Sequence, residues 1–182
     1  MPANKIFRAT EATDLSMRRD ATEVDATGMA KAIEAGIMEY GLTKVLFSDE
    51  ESGLNLTYVW FKPHHKVPRH SHDADCLYYI IAGSMFLGNQ ELTSGDGVFV
   101  PATNVYKLDV GPDGAEFLEL RTATAFNVRY GNSESSWDRY SAHVADVQEL
   151  WSKAAPPPLV RKILDAVSAR GAAHKADAST AT

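Results

Sequence analysis

Two histidines separated by one residue are the strongest chemical signal in the sequence. His70 and His72 flank Ser71 and follow Pro68-Arg69. Residues at positions i and i+2 of an extended strand point to the same face, so both imidazoles can reach one ligand. Imidazole is a common ligand of divalent transition metals, although two solvated histidines in a polar loop produce the same pattern. The spacing therefore indicates a candidate metal site and leaves the loop alternative open.

The elements around this pair are short β-rich runs separated by Gly, Pro, Asn and Asp, from Leu42 to Arg121. Many short strands with turn residues between them predict an antiparallel sandwich or barrel, arranged as a meander or a jelly roll. The predicted strands cover residues 43–47, 54–61, 76–81, 84–87, 97–100, 105–110 and 116–121.

Helix-like spacing of apolar residues appears on both sides of this β-rich region. Residues 27–40 predict a turn or short helix, 142–153 a helix, and 159–169 an amphipathic helix. The predicted organisation has four parts: an N-terminal arm with a short helix (1–41), a barrel (42–125), a C-terminal helical extension (126–170) and a disordered tail (171–182).

The histidine pair and a later glycine-containing turn resemble the two motifs of the cupin superfamily. The first cupin motif is Gly, five residues, His-X-His, three or four residues, Glu, six residues, Gly. The second is Gly, five residues, Pro-X-Gly, two residues, His. This chain keeps His70, His72 and Gly83 of the first motif and Gly95 and Pro101 of the second. The resemblance implies an all-β fold, an antiparallel jelly-roll barrel of the RmlC-like kind, and says less about function because one fold serves many functions.

Two ligands of the cupin metal site are replaced in this chain. Cys76 stands where cupins have the glutamate, and Tyr106 stands where they have the third histidine. A neutral thiol and a phenol are poorer ligands for a hard divalent cation. The missing donor could be Tyr106 as phenolate, Cys76 as thiolate, or Glu91 from the following strand. Any of these would complete a three-ligand site with His70 and His72 and leave coordination positions open.

Aromatic residues of the predicted strands suggest an apolar cavity beside the pair. Tyr78 and Phe99 are expected to line it together with Cys76, which is equally well explained as a small buried hydrophobic residue. Tyr106 is assigned the role of a general acid or of positioning the substrate, with core packing as the alternative. His65 lies in a turn and is expected to be solvated.

Two functions follow from the resemblance. The first is a metal-dependent enzyme acting on a small organic molecule, most directly a dioxygenase-type oxidoreductase with Fe, Mn, Ni or Zn at His70 and His72. The second is a non-catalytic cupin that binds a small ligand or acts as a sensor, since its metal site is degenerate. The residues leave open whether the chain is an enzyme.

Charge, hydropathy and cysteine content exclude several partners. The formal net charge is -6, and no basic stretch is interleaved with aromatic residues, so no nucleic acid is expected as a partner. No apolar run approaches the roughly 18 residues of a membrane span. Cys76 is the only cysteine, and residues 1–14 do not resemble a signal peptide, which together favour a cytoplasmic protein. Cupins commonly dimerise through sheet edges, and exposed edges must be covered, so a homodimer is expected.

Overall fold

Ten β-strands and three α-helices make up residues 4–180, the part of the chain that this computed structural model describes, with side chains described up to residue 172. The strands are β1 (Thr13–Asp14), β2 (Arg18–Asp20), β3 (Gly41–Asp49), β4 (Leu54–Phe61), β5 (Lys66–Ser71), β6 (Cys76–Leu87), β7 (Gln90–Thr93), β8 (Gly97–Val100), β9 (Tyr106–Arg121) and β10 (Asn127–Tyr130). The helices are α1 (Glu23–Glu34), α2 (Glu134–Lys153) and α3 (Pro158–Thr180), and short 3-10 helices cover Ala9–Glu11 and Ile37–Glu39.

The strands form one sheet that curls into a half-barrel. Its strand order is β1-β3-β4-β9-β5-β10-β2, and β6 pairs with β9 while also carrying β7 and β8. The pairs are antiparallel except that β10 runs parallel to β2, so the sheet is mixed, which corrects the prediction of a purely antiparallel sheet. A parallel pair needs a long connection, and most of the chain separates β2 from β10.

Alternating burial along β6 fixes which side chains face the concave side of the sheet. Cys76, Tyr78 and Ile80 are buried in the main core, whereas Leu77 and Tyr79 between them are exposed. This is the two-residue period of a strand with one covered face. The core of the half-barrel is therefore built from the face that carries Cys76 and Tyr78.

A glycine allows β6 to continue from this core into the hairpin with β7. Gly83 has a φ of 74°, and a Cβ built on it would lie 2.0 Å from the carbonyl oxygen of Gly114 on β9. Only a residue without a side chain permits this backbone approach. The glycine shared with the first cupin motif thus has a structural role, and the two runs predicted at 76–81 and 84–87 join into one long strand.

The N-terminal segment joins the two ends of the sheet. β1 pairs with β3 at one end, β2 pairs with β10 at the other, and only Leu15–Met17 connects them. Asp14 accepts a hydrogen bond from Lys44 over 2.5 Å, and the Asn127 amide donates to Asp20 over 2.6 Å. The predicted arm is therefore docked along both ends of the sheet.

Helices α1 and α2 pack against each other beside the half-barrel. Thr22 and Asp25 form a capping box at the start of α1, and Gly28 lies directly under the ring of Trp137 on α2. α2 begins earlier than the predicted residue 142 because the Ser133 hydroxyl caps its first turn, accepting from the amide of Ser136 at 3.3 Å.

Helix α3 covers the convex face of the sheet. Val160 and Ile163 are buried against Leu42, Tyr58 and Trp60 of β3 and β4. This is the apolar stripe that the sequence predicts for an amphipathic helix. Within the described residues, no helix combines the length and the apolar character needed to cross a membrane.

The structure differs from the sequence prediction at the C-terminus. Residues 171–180 of the predicted disordered tail continue α3 up to Thr180, and residues 181–182 lie outside the described part of the chain. Several alanines in this stretch have the highest intrinsic helix propensity, which permits the helix to extend.

Candidate functional site

A cavity of about 380 Å³ opens on the concave side of the half-barrel. This volume lies in the range of small-ligand pockets. Its walls include apolar side chains from the N-terminal segment, α1 and the sheet, namely Leu15, Met17, Met29, Phe61, Val67 and Leu108. Polar side chains gather on one part of the lining, namely His70, His72, Tyr78, Glu119 and Arg121. The cavity thus combines apolar walls with a polar cluster.

The structure brings His70 and His72 together on this lining. His70 lies near the end of β5 and His72 one residue beyond it, as the spacing requires for a shared face. Their ring centroids are 4.9 Å apart, and the residues are only 5% and 8% exposed. The solvated-loop alternative for these two histidines is therefore wrong.

Each histidine of the pair is fixed in one tautomer by a backbone carbonyl. Nδ1 of His70 lies 2.7 Å from the carbonyl oxygen of Pro68, and Nδ1 of His72 lies 2.5 Å from that of Asn127. A carbonyl oxygen only accepts, so both Nδ1 atoms carry the hydrogen. Burial lowers the pKa of His70 to about 4 and also lowers the pKa of His72. Both rings are then neutral near neutral pH, and both Nε2 atoms are bare acceptors.

A buried ion pair lies on the same concave face. Glu119 and Arg121 occupy alternate positions of β9, and the guanidinium donates a hydrogen bond to the Glu119 carboxylate. The Arg121 side chain is 1% exposed, and its guanidinium lies 4.3 Å from the ring centroid of Phe126. Its Nε has no hydrogen-bond partner among the described residues. After burial, its positive charge further lowers the pKa of His70 and of His72, whereas the Glu119 carboxylate raises the pKa of His72.

The residues that replace the two cupin ligands keep their protons. The hydroxyls of Tyr78 and Tyr106 lie 2.6 Å apart, and the Tyr106 ring centroid is 4.4 Å from that of His70. Burial raises the pKa of both phenols and raises the pKa of Cys76 to about 12. Without a metal, the phenols and the thiol are therefore protonated near neutral pH, and a metal would have to displace these protons before Tyr106 or Cys76 could act as a donor. Tyr78 lines the cavity, whereas Cys76 and Tyr106 pack in the core and are not part of the cavity lining.

Glu91 and Phe99 do not reach the cavity, contrary to the sequence prediction. Glu91 is exposed on β7, which forms a hairpin with the second half of β6. Phe99 on β8 is 58% exposed and lies opposite Leu77, which faces outward. Directly paired residues share a face of the sheet, so Phe99 lies on the convex side.

Sequence comparisons give no match: no family model fits the chain, and no curated protein matches it. The comparison with solved structures does give matches. The polyketide cyclase RemF from Streptomyces resistomycificus is 22% identical, over 59% of this chain and 82% of RemF, with a TM-score of 0.48. A cupin-like protein from Thermotoga maritima is 20% identical, over 54% of this chain and 82% of that one, with a TM-score of 0.44. An RmlC-like cupin from Shewanella frigidimarina is 24% identical, over 43% and 72%, with a TM-score of 0.38.

The chain resembles the cupins. Solved structures similar to it include enzymes, such as RemF, and cupin-like proteins of unknown function.

The donor set of this cupin-like site does not fit the metal that the fold family implies. Within the described residues, no three side chains among His, Cys, Asp and Glu lie close enough together to hold a metal ion. His70 and His72 supply two donors, but the Glu119 carboxylate is held by Arg121. The guanidinium also places a positive charge near both imidazoles; the Glu119 carboxylate opposes it at His72, and at His70 the positive charge disfavours a second cation.

Sequence reasoning missed the ion pair and a third buried histidine. His65 is 5% exposed rather than solvated, packs against the rings of Phe61 and Trp151, and lines the cavity. Burial lowers the pKa of His65 to about 3, so it is neutral. The signal for Glu119 and Arg121 was their common parity with Phe117, which places all three on the buried face of β9.

Proposed function

We propose that this cupin-like protein binds a small, mainly apolar organic molecule in the cavity, with a polar group of the ligand against His70 and His72. One observation carries the proposal. Two neutral imidazoles with free Nε2 atoms face a largely apolar cavity of about 380 Å³. Apolar pockets with a few convergent polar groups are the usual form of small-ligand sites.

Filling the cavity should weaken binding without unfolding the protein. Val67 lines the cavity, so Val67→Phe should weaken binding of 2-naphthol by the EDTA-treated full chain about tenfold or more. Isothermal titration calorimetry measures the affinity, and circular dichroism checks the fold. Val105→Phe is the matched control because Val105 is 48% exposed and lies outside the cavity lining. Equal affinities of the unaltered chain, Val67→Phe and Val105→Phe would contradict the proposal. So would the absence of saturable binding to the unaltered chain.

The metal-dependent dioxygenase predicted from the sequence requires a third protein donor, which the arrangement around His70 and His72 does not favour. We expect protein purified without an affinity tag to contain Fe, Mn, Ni and Zn well below one equivalent per chain. Added metal should leave the melting temperature unchanged, because a metal stabilises the folded protein only if it binds to a preformed site. Elemental analysis and a thermal melt measure both quantities. A stoichiometric metal that disappears in His72→Ala would restore the metalloenzyme hypothesis.

The homodimer, the cytoplasmic location, the domain boundaries and the jelly-roll connectivity stay predictions. Sedimentation velocity distinguishes a monomer from a dimer directly. A sedimenting mass of twice the 19.9 kDa chain would confirm the homodimer, and a mass of one chain would contradict it.

A further inference from the structure

We infer that the ligand is held through a hydroxyl group on an unsaturated carbon, such as a phenol or an enol, which donates a hydrogen bond to Nε2 of His70 or of His72. The inference rests on the proposed function, namely that the cavity binds a small organic molecule. It adds the chemical class of that molecule.

The hydrogen-bonding capacity of the histidine pair selects a donor. Both Nδ1 hydrogens are already given to the carbonyls of Pro68 and Asn127. Among the residues whose side chains are described, the hydrogen bonds of these two rings involve Nδ1 alone, so each Nε2 is left free. A ketone or carboxylate oxygen would set its lone pairs against those of Nε2, whereas a ligand hydroxyl can donate to them. Two adjacent acceptors therefore favour a ligand that carries O–H.

The charges around the pair favour a neutral hydroxyl over a full anion. The carboxylate of Glu119 already balances the guanidinium of Arg121. The other cation of the cavity lining, Arg19, is exposed and does not act on either imidazole. A ligand carboxylate beside the pair would then be a buried charge without a counter-ion there, which is costly. A hydroxyl oxygen gains only partial negative charge when it donates, and the nearby guanidinium stabilises that partial charge. The same guanidinium opposes a metal ion at this position.

The lining of the cavity favours an unsaturated skeleton for the ligand. Aromatic side chains contribute to several sides of the lining, namely Tyr40, Phe61, Tyr78, Tyr130 and Tyr140. Flat π-systems pack on such rings in stacked or edge-to-face arrangements. A hydroxyl on an unsaturated carbon is also more acidic than an alcohol, so it makes a stronger hydrogen bond to a neutral imidazole. Ring packing and hydrogen bonding thus select the same chemical class.

Three naphthalene derivatives of similar shape test the inference. The EDTA-treated full chain is titrated near neutral pH with 2-naphthol, 2-methoxynaphthalene and 2-naphthoate. We expect 2-naphthol to bind about tenfold more tightly than its methyl ether, which lacks the hydroxyl hydrogen. The naphthoate should bind more weakly than 2-naphthol.

Histidine variants locate the acceptor. In His70→Leu/His72→Leu, the affinity for 2-naphthol should fall to that for the methyl ether, whose own affinity should hardly change. His143→Leu is the matched control, because His143 is half-buried on α2 and lies outside the cavity lining. The ligand comparison on the unaltered chain needs no variant, so it decides the matter even if the double variant does not fold.

Each contrary outcome has a distinct meaning. Equal binding of 2-naphthol and its methyl ether would overturn the hydroxyl inference while the proposed function stands. Tightest binding of 2-naphthoate would overturn it in favour of an anion site at Arg121. Failure of all three compounds to bind would overturn the proposed function together with the inference.

Discussion

Arg121→Met should lower the free energy of unfolding by about 3–5 kcal/mol, because it leaves a buried carboxylate without its cation. Glu119 is 9% exposed and receives the guanidinium hydrogen bond of Arg121. Removing the guanidinium also removes the cation that packs on Phe126. Urea denaturation followed by circular dichroism gives the unfolding free energy.

Two further variants separate the ion pair from other effects of the substitution. Glu119→Leu/Arg121→Met should recover most of the lost stability, since a buried ion pair can be replaced by apolar side chains of similar volume. Arg129→Met is the matched control. Arg129 lies on the neighbouring β10 with its side chain 67% exposed, so its loss should change the unfolding free energy by no more than about 0.5 kcal/mol. Equal destabilisation by Arg121→Met and Arg129→Met would show that the buried pair has no special role.

Trp137→Ala should destabilise the protein by about 3–5 kcal/mol, the usual cost of deleting a large buried aromatic side chain. Trp137 is 1% exposed and fills the space above Gly28 between α1 and α2. Its Nε1 donates to the carboxylate of Asp25 over 3.0 Å. Its ring also packs against Tyr130, which lines the cavity, so the affinity for 2-naphthol should fall as well.

A pair of substitutions on α2 supplies the comparison. Trp137→Phe keeps a ring but loses the hydrogen bond to a charged acceptor, so it should cost about 1.5–3 kcal/mol. Leu150→Ala on the same helix removes a side chain that is 40% exposed and should cost less than about 1 kcal/mol. Urea melts of the three variants give the ranking, and a loss in Trp137→Ala no larger than in Leu150→Ala would contradict the packing described between α1 and α2.

The common face of the histidine pair could be predicted from sequence, because spacing on a strand determines it. The strand period places His70 and His72 on one face, and the same period places Cys76 with Tyr78. These are local properties of extended chain. The tautomers of the two histidines could not be predicted, since one of the carbonyls that fixes them comes from distant Asn127.

The ion pair was missed because both faces of β9 carry apolar residues. Phe117, Glu119 and Arg121 face the concave side, while Leu118 packs on the convex side beneath α3. Alternation of leucine with charge normally places leucine inside. Here α3 covers the outer face of β9. This is a tertiary contact, and the sequence of β9 alone does not predict it. The exposed position of Phe99 could not be predicted for a similar reason. An aromatic residue on a strand does not indicate which face of the sheet is the concave one.

The two ends of the sheet path are occupied by strands of the same chain, β1 with two residues and β2 with three. Strands this short offer too few free amides and carbonyls to template a neighbouring molecule. A second copy could lengthen the sheet at either end only after β1 or β2 had separated from its neighbouring strand. The link of Leu15–Met17 connects these two terminal strands directly. The N-terminal segment that carries β1 and β2 therefore opposes polymerisation by strand addition at both ends of that path.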